Sequence, residues 1–298
     1  MRVLPRTLLA LAVPLLLTAG CGASSTADAG SAAGSTSGSG TLRISGSTTV
    51  NPVAADAAEA LRGDDFTITV DTQGGSAGGL TQLGAGQIDI AMSSKPVGDA
   101  DRAAAPDTDY VETLIGEDAV GIVVRREVLD GGLTGVTKVQ LQALFEGRVA
   151  NWSELGGPDL DVFVYDKEPG RGTREVLDRF LYGKGVDAPA PPDSPRYAIV
   201  GGNEETRTKL LSTPGSVAPL SSAFVSDEGD LGLLAVDGIT PTAQTIADKS
   251  YALSRPLFLV TDGPPAGAAK TFVDYVLSSE GQPLLTRHGY LTLAELKA

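Results

Sequence analysis

Three stretches of this chain share a pattern in which a predicted strand runs through a short Gly/Ser/Thr turn directly into a predicted helix. The stretches are residues 42–49, 68–76 and 163–173. Such turns present free backbone N–H groups, small hydroxyl groups and the positive end of a helix dipole, and this combination binds oxyanions. The third turn also carries basic side chains. The repeated pattern predicts that one small anion is held from several sides.

The alternation of strand and helix continues along the chain and predicts the fold class. Strands are expected at residues 42–45, 66–70, 88–92, 120–124, 161–165, 215–225, 231–236 and 257–260. Helices are expected after residues 48, 75 and 137, and over 173–182, 271–277 and 281–287. This order indicates an α/β protein with mostly parallel sheets flanked by helices. In open sheets of this type, ligands bind beyond the carboxyl ends of the strands, where these turns lie.

The N-terminal residues have the composition of an export signal. A basic start precedes an apolar run over residues 8–17, which is too short to span a membrane. The run ends at Cys21 in a sequence that resembles a bacterial lipobox, in which the cysteine is lipidated. The alternative is an ordinary signal peptide with an incidental cysteine. We expect a signal peptide over 1–20, a lipid (palmitate) on Cys21, and a flexible Gly/Ser/Ala linker over 21–40.

The composition argues against several classes of function. With 37 acidic and 23 basic residues, the chain has a formal charge of −14, which disfavours binding to nucleic acid. This negative net charge does not exclude a local anion site, because surface charges are screened within about 10 Å at 0.1 M salt. His288 is the only histidine and Cys21 the only cysteine, so a Ser-His-Asp triad has one candidate base and thiolate zinc sites are excluded. The sequence predicts a binding protein without metal or cofactor, not an enzyme.

Several segments resemble, in the right order, the phosphate-binding proteins of bacterial ABC importers. The ligand loops of that family are matched by residues 44–50, 73–78, 88–96 and 168–175. Further parts of the family are matched by residues 141–156, 251–257 and 279–290. The similarity covers essentially all of residues 41–293.

The resemblance implies a two-lobed fold like that of the periplasmic binding proteins, with the ligand in the cleft between the lobes. It places lobe I at about 41–119 plus 253–298 and lobe II at about 120–252, with closure about a hinge. It also implies that a monomer, anchored by lipid to the outer face of the cell membrane, captures inorganic phosphate. The phosphate would then pass to the transmembrane subunits of an ABC permease.

The resemblance also implies a set of ligand-binding residues. They are Ser47, Thr48, Ser76, Ser94, Asp118, Lys167, Arg171, Gly172 and Thr173. Taken singly, each hydroxyl could instead be an ordinary helix N-cap. Lys167 and Lys95 stand where the family often has Arg, and Arg171 stands where it often has Ser. Arg171 could clamp the anion bidentately, or it could point outward and leave only its N–H in the site.

Asp118 aligns with an acidic position of the family. A carboxylate beside an anion is repulsive unless the anion carries a proton, which phosphate does near neutral pH and sulfate does not. We therefore expect Asp118 to favour phosphate over sulfate; a hinge carboxylate is the alternative. Because Lys95, Lys167 and Arg171 differ from the residues usual in the family, the ligand could also be another oxyanion, such as sulfate, molybdate or a phosphate ester. A surface phosphohydrolase is a further alternative, but no metal or nucleophile constellation supports it.

Overall fold

The computed structural model describes residues 41–63, 67–225 and 229–297. The predicted signal peptide, Cys21 and the linker lie outside these residues. The strands are β1 (Thr41–Gly46), β2 (Thr67–Asp71), β3 (Ile90–Ser93), β4 (Tyr110–Arg125), β5 (Gly135–Val136), β6 (Phe163–Lys167), β7 (Tyr197–Val200), β8 (Ser216–Ser221), β9 (Leu231–Val236), β10 (Ser254–Asp262) and β11 (Leu291–Thr292).

The helices lie between these strands and confirm the α/β alternation. They are α1 (Asn51–Ala60), α2 (Gly75–Gly84), α3 (Asp99–Ala104), α4 (Arg126–Asp130), α5 (Lys138–Phe145), α6 (Gly172–Tyr182), α7 (Asn203–Ser212), α8 (Ala243–Ala247), α9 (Gly267–Leu277) and α10 (Gln282–Arg287). In the described part of the chain, no helix is long and apolar enough to cross a membrane.

The sheet is mixed rather than mostly parallel. Its main strand order is β2-β1-β3-β10-β4-β8-β6-β7. At one end, β1 pairs in parallel with β2 and β3; at the other, β6 pairs in parallel with β7 and β8. The central strands β10 and β4 run antiparallel to their neighbours. The α/β fold class is thus confirmed, with parallel pairing at both ends and antiparallel strands joining them.

The long strand β4 passes from one half of the sheet to the other. Its first part, up to Ala119, pairs with β10, and its second part, from Val120 onward, pairs with β8 and β9. A second connection runs beside it, because the N–H of Val120 donates to the carbonyl oxygen of Leu253 at 2.9 Å. Each half has its own buried apolar core. The molecule therefore has two lobes, and the chain crosses between them side by side.

Several elements were not predicted from the sequence, and α7 matters most for the site. Only Asn203, Thr206 and Leu210 of this ten-residue helix are buried. Two of these three side chains are polar, so the sequence shows no apolar stripe with helical spacing. Periodicity alone therefore does not detect α7.

Candidate functional site

Four helices, two from each lobe, begin at one small pocket. They are α1, α2, α6 and α7, and no side chain caps the first N–H groups of any of them. The pocket is lined by Ser47, Thr48, Thr49, Gly75, Ser76, Ser94, Lys167, Arg171, Gly172, Thr173, Gly201 and Asn203. Helix starts carry unsatisfied donors and partial positive charge, so this arrangement favours an anion.

The turn after β1 supplies one wall of the pocket. Gly46 has a φ of +134°, and a Cβ there would lie 2.3 Å from the carbonyl oxygen of Met92, so only glycine fits. The next residue, Ser47, donates its N–H to that same oxygen at 2.9 Å. The Ser47 hydroxyl in turn accepts the N–H of Thr49 at 3.2 Å. These bonds fix the turn against β3 and hold its hydroxyls at the pocket.

Two buried serines form the next part of the wall. Ser76 is the second residue of α2, directly after Gly75, and Ser94 directly follows β3. The N–H of Ser94 donates to the hydroxyl of Ser76 at 3.1 Å, and the two hydroxyl oxygens are 3.3 Å apart. The structure thus brings together hydroxyls from two of the turns singled out in the sequence.

The start of α6 closes the pocket from lobe II. Gly172 lies so near lobe I that a Cβ on it would be 2.5 Å from the Ser94 hydroxyl oxygen. The carbonyl oxygen of Gly170 accepts the N–H of Ala77 at 3.1 Å. Thr173 follows and is buried. The two lobes therefore touch directly at the pocket, in a closed arrangement.

Lys167 is buried at the end of β6, and its ammonium fixes the turn before α7. It donates to the carbonyl oxygens of Gly201 at 3.3 Å and Gly202 at 3.2 Å, and to the hydroxyl of Thr206. Burial, together with the nearby charges of Arg255 and Arg171, lowers the pKa of Lys167 to about 7. This cation holds the α7 turn at the pocket, and its hydrogen-bond partners are all neutral oxygens.

Arg171 lies along the pocket wall and is bound by a neighbouring carboxylate. Its Nε and Nη2 donate to one oxygen of Glu168 at 3.0 and 2.6 Å. Its side chain packs against Gly75, where a Cβ would come within 2.7 Å of the arginine Cδ. The side chain is 15% exposed, so it does not point out into solvent. The side chain therefore lies along the pocket wall, but a bidentate clamp on the anion stays a prediction, because Nε and Nη2 already donate to Glu168.

Asp118 is fully buried but is not part of the pocket wall. Its Oδ2 accepts from Nε and Nη2 of Arg255 at 2.9 and 2.7 Å, and its Oδ1 accepts from the hydroxyl of Ser221 at 2.9 Å. Burial raises the pKa of the Asp118 carboxyl, while the hydrogen bonds from Arg255 and Ser221 oppose that rise. A direct contact between Asp118 and the ligand stays a prediction, and this geometry does not favour it.

The other eight predicted residues all lie at the pocket, and the structure adds more. The residues that the sequence reasoning missed are Thr49, Gly75, Gly201, Asn203 and Arg255. Thr49 and Gly75 sit inside turns already identified, so the turns themselves were the available signal. Gly201 and Asn203 belong to the start of α7, where a Gly-Gly-Asn sequence is the only local sign. Within the described ranges, no group of three or more His, Cys, Asp or Glu side chains could hold a metal ion.

The chain is similar to several phosphate-binding proteins in sequence and in structure. A phosphate-binding protein, PstS, from Bacillus subtilis is 27% identical, and the match covers 97% of this chain and 94% of that protein. A substrate-binding protein from Clostridium perfringens, solved with bound phosphate, is 26% identical with a TM-score of 0.74 and covers 85% and 99% of the two chains. An ABC-type phosphate transport receptor from Vibrio cholerae is 25% identical with a TM-score of 0.67, covering 84% and 99%.

The model of the PBP superfamily domain matches residues 31–280, which is most of the chain. That span includes the strands, helix starts and turns that build the pocket. The chain therefore belongs to the PBP superfamily.

Proposed function

We propose that the protein binds inorganic phosphate in this pocket and delivers it to a membrane ABC permease. The observation that carries the proposal is the convergence of four uncapped helix starts, from both lobes, on one small buried space lined with hydroxyls. Donors aimed from several sides match a tetrahedral oxyanion. Phosphate is favoured over other oxyanions because the relatives from Bacillus subtilis and Vibrio cholerae are named for it.

The charges around the pocket also support an anionic ligand. Arg255 is paired with Asp118, and Arg171 is paired with Glu168. The ammonium of Lys167, by contrast, donates its hydrogen bonds to neutral oxygens of the described residues. Burial of this ammonium is costly and is only partly offset by the nearby carboxylates of Glu205 and Asp166, so an anion in the pocket would offset more of that cost. The local balance therefore favours an anion although the whole chain is acidic.

We further propose that binding closes the two lobes. The boundaries remain those expected from the sequence, 41–119 plus 253–298 for lobe I and 120–252 for lobe II. The passage of β4 between the two halves of the sheet at Ala119–Val120 supports them. Because ligand donors come from both lobes, an anion held between them stabilises the closed form by mass action.

The location and the assembly are also proposals. A binding protein that serves a permease works outside the cytoplasm, and Cys21 would tether it by lipid to the outer face of the membrane. We also propose that the protein is a monomer, as expected from the sequence. The alternatives of another oxyanion or of a surface phosphohydrolase gain no support from the relatives, whose names describe phosphate binding and transport.

Isothermal titration calorimetry tests the proposal directly. The purified protein is unfolded and refolded to strip carried-over ligand, then titrated with phosphate, sulfate, molybdate and a phosphate ester. We expect one-to-one binding of phosphate and much weaker binding of the other anions. Silence to phosphate would refute the proposal, and turnover of a chromogenic phosphate ester would replace it with an enzyme. Thr261→Val in β10 serves as the matched control, because it removes a buried hydroxyl that donates to the carbonyl oxygen of Gly263 and does not line the pocket.

A further inference from the structure

Arg255 of β10 is a fully buried arginine that connects the two lobes behind the pocket. Its side chain is 0% exposed. One edge of the guanidinium, Nε and Nη2, pairs with Asp118. The remaining donors reach hydroxyls that line the pocket: Nη1 reaches Thr173 at 2.8 Å, and Nη2 reaches Thr49 at 2.9 Å. A longer contact of 3.4 Å joins Nη1 to the Ser94 hydroxyl.

The chemistry of arginine restricts what these hydroxyls can do. A guanidinium only donates hydrogen bonds, whereas a hydroxyl has one proton and two acceptor lone pairs. Each hydroxyl bonded to Arg255 must therefore accept from it and turn its own proton elsewhere. An anion in the pocket only accepts, so a hydroxyl with this orientation is ready to donate to it.

Thr49 shows the effect most clearly. Its oxygen accepts from Arg255 Nη2 at 2.9 Å and from Asn203 Nδ2 at 3.0 Å. Both lone pairs are then in use, and only the proton is left to make a further bond. Thr49 lines the pocket, so its hydroxyl is restricted to being a donor there.

The two bonds also depend on lobe closure. Asn203 of α7 belongs to the lobe opposite Thr49, and Thr173 of α6 belongs to the lobe opposite the strand that carries Arg255. Closing the lobes therefore completes the acceptor pairing of Thr49 and brings Thr173 onto Arg255. The donors therefore reach their final orientation only when the cleft closes.

We propose that Arg255 is a positioning residue that fixes the hydroxyls of Thr49 and Thr173 as donors to the bound anion. This inference rests on the proposed anion-binding function of the pocket. Asp118 fixes the orientation of the guanidinium. The hydroxyls contact the anion, and Arg255 itself does not. Pre-orientation of donors removes a cost of binding, so the effect is expressed in affinity.

A double-mutant cycle on phosphate affinity tests the proposal. Arg255→Lys keeps the positive charge beside Asp118 but loses the planar fork that reaches both threonines. Thr173→Val removes the hydroxyl and keeps the shape. We expect Thr173→Val to weaken phosphate binding about tenfold in the otherwise unchanged protein and less than about threefold in the Arg255→Lys background. An equal loss in both backgrounds would overturn the proposal, because the threonine would then act independently of Arg255.

A second variant keeps the test decisive if Arg255→Lys does not fold. Asp118→Asn combined with Arg255→Gln replaces the buried ion pair by two neutral amides. The same reduced cost of Thr173→Val is expected in this background, with folding checked by circular dichroism and Thr261→Val as the control. Failure of the unchanged protein to bind phosphate would instead refute the proposed function. Binding of phosphate without coupling in the cycle would refute only the role of Arg255.

Discussion

Lys95 of lobe I forms an ion pair with Glu175 of lobe II, with 3.1 Å between Nζ and Oε1. The same ammonium lies 2.6 Å from Asp101 Oδ2 at the start of α3, in its own lobe. The Lys95 side chain is only 5% exposed, whereas that of Glu175 is 40% exposed. Because the Lys95–Glu175 pair spans the cleft beside the pocket, it joins the two lobes in the closed arrangement.

We predict that Glu175→Gln weakens the closed state without affecting the pocket itself. Glu175 is partly exposed, so the pair contributes about 0.5–1 kcal/mol, and phosphate affinity should fall about two- to fivefold. Calorimetric titration measures the change. The control is Asp274→Asn, which breaks the exposed Lys270–Asp274 pair within α9 and should leave affinity unchanged. If the two variants bind phosphate equally well, the Lys95–Glu175 pair does not stabilise the closed state.

Lys167 should make phosphate binding dependent on pH. Its pKa is lowered to about 7, and an anion bound nearby favours the charged form and raises that pKa. Binding then takes up a proton, so affinity should fall as pH rises from about 7 to 9, by at most about tenfold per pH unit. Lys167→Arg stays charged across this range and should show only the ionisation of phosphate itself. Identical pH profiles for the two proteins would contradict the prediction.

Lys167 should also make the stability of the protein depend on pH. Its contribution to the free energy of unfolding should increase with pH, whereas phosphate affinity falls. The ordinary pKa of a lysine is 10.5, and folding lowers that of Lys167 to about 7. Between these values the unfolded chain binds more protons than the folded protein, so the contribution of Lys167 to the free energy of unfolding increases with pH. Urea denaturation at pH 7 and pH 9, with Lys167→Arg for comparison, measures this contribution. A contribution that decreases with pH would rule out the lowered pKa.

Asp118→Asn separates two roles for this carboxylate. A direct contact with protonated phosphate, as expected from the sequence, predicts a relaxed preference for phosphate over sulfate. The geometry predicts a different result, because the Asp118 carboxylate accepts its side-chain hydrogen bonds from Arg255 and Ser221. On that basis the variant loses about 3–5 kcal/mol of stability and binds both anions more weakly, with their affinity ratio unchanged. Titrations with phosphate and sulfate, combined with thermal unfolding, decide between the two.

Gly75→Ala should disturb the pocket through Arg171. Gly75 has a φ of +63°, and a Cβ there would lie 2.7 Å from the Cδ of Arg171. Gly86 has nearly the same φ, +65°, with nothing within 4 Å of its Cβ position. Both substitutions should cost about 1–2 kcal/mol of stability from backbone strain, but only Gly75→Ala should also weaken phosphate binding. Equal affinities for the two variants would show that Arg171 can move without consequence.

The sequence by itself determined the local chemistry of the site. A turn of Gly, Ser and Thr between a strand and a helix presents donors in whatever fold contains it, and this explains why Ser47, Ser76 and Thr173, which were predicted from such turns, all line the pocket. The alternation of strands and helices likewise reflects local periodicity. Where that periodicity is weak, as in the polar helix α7, nothing in the local sequence pattern indicates Asn203.

The tertiary structure alone decided how these local pieces are connected. Arg255 is 206 positions from Thr49 and 82 from Thr173, and nothing local marks it as buried. Its burial follows from the position of β10 at the centre of a mixed sheet, where the two lobes meet. The same long-range packing places Asp118 behind the pocket and not in its wall. The hydrogen-bond donors are encoded in short segments of the sequence. Their orientation depends on contacts between segments that are far apart in the sequence, and only folding brings these segments together.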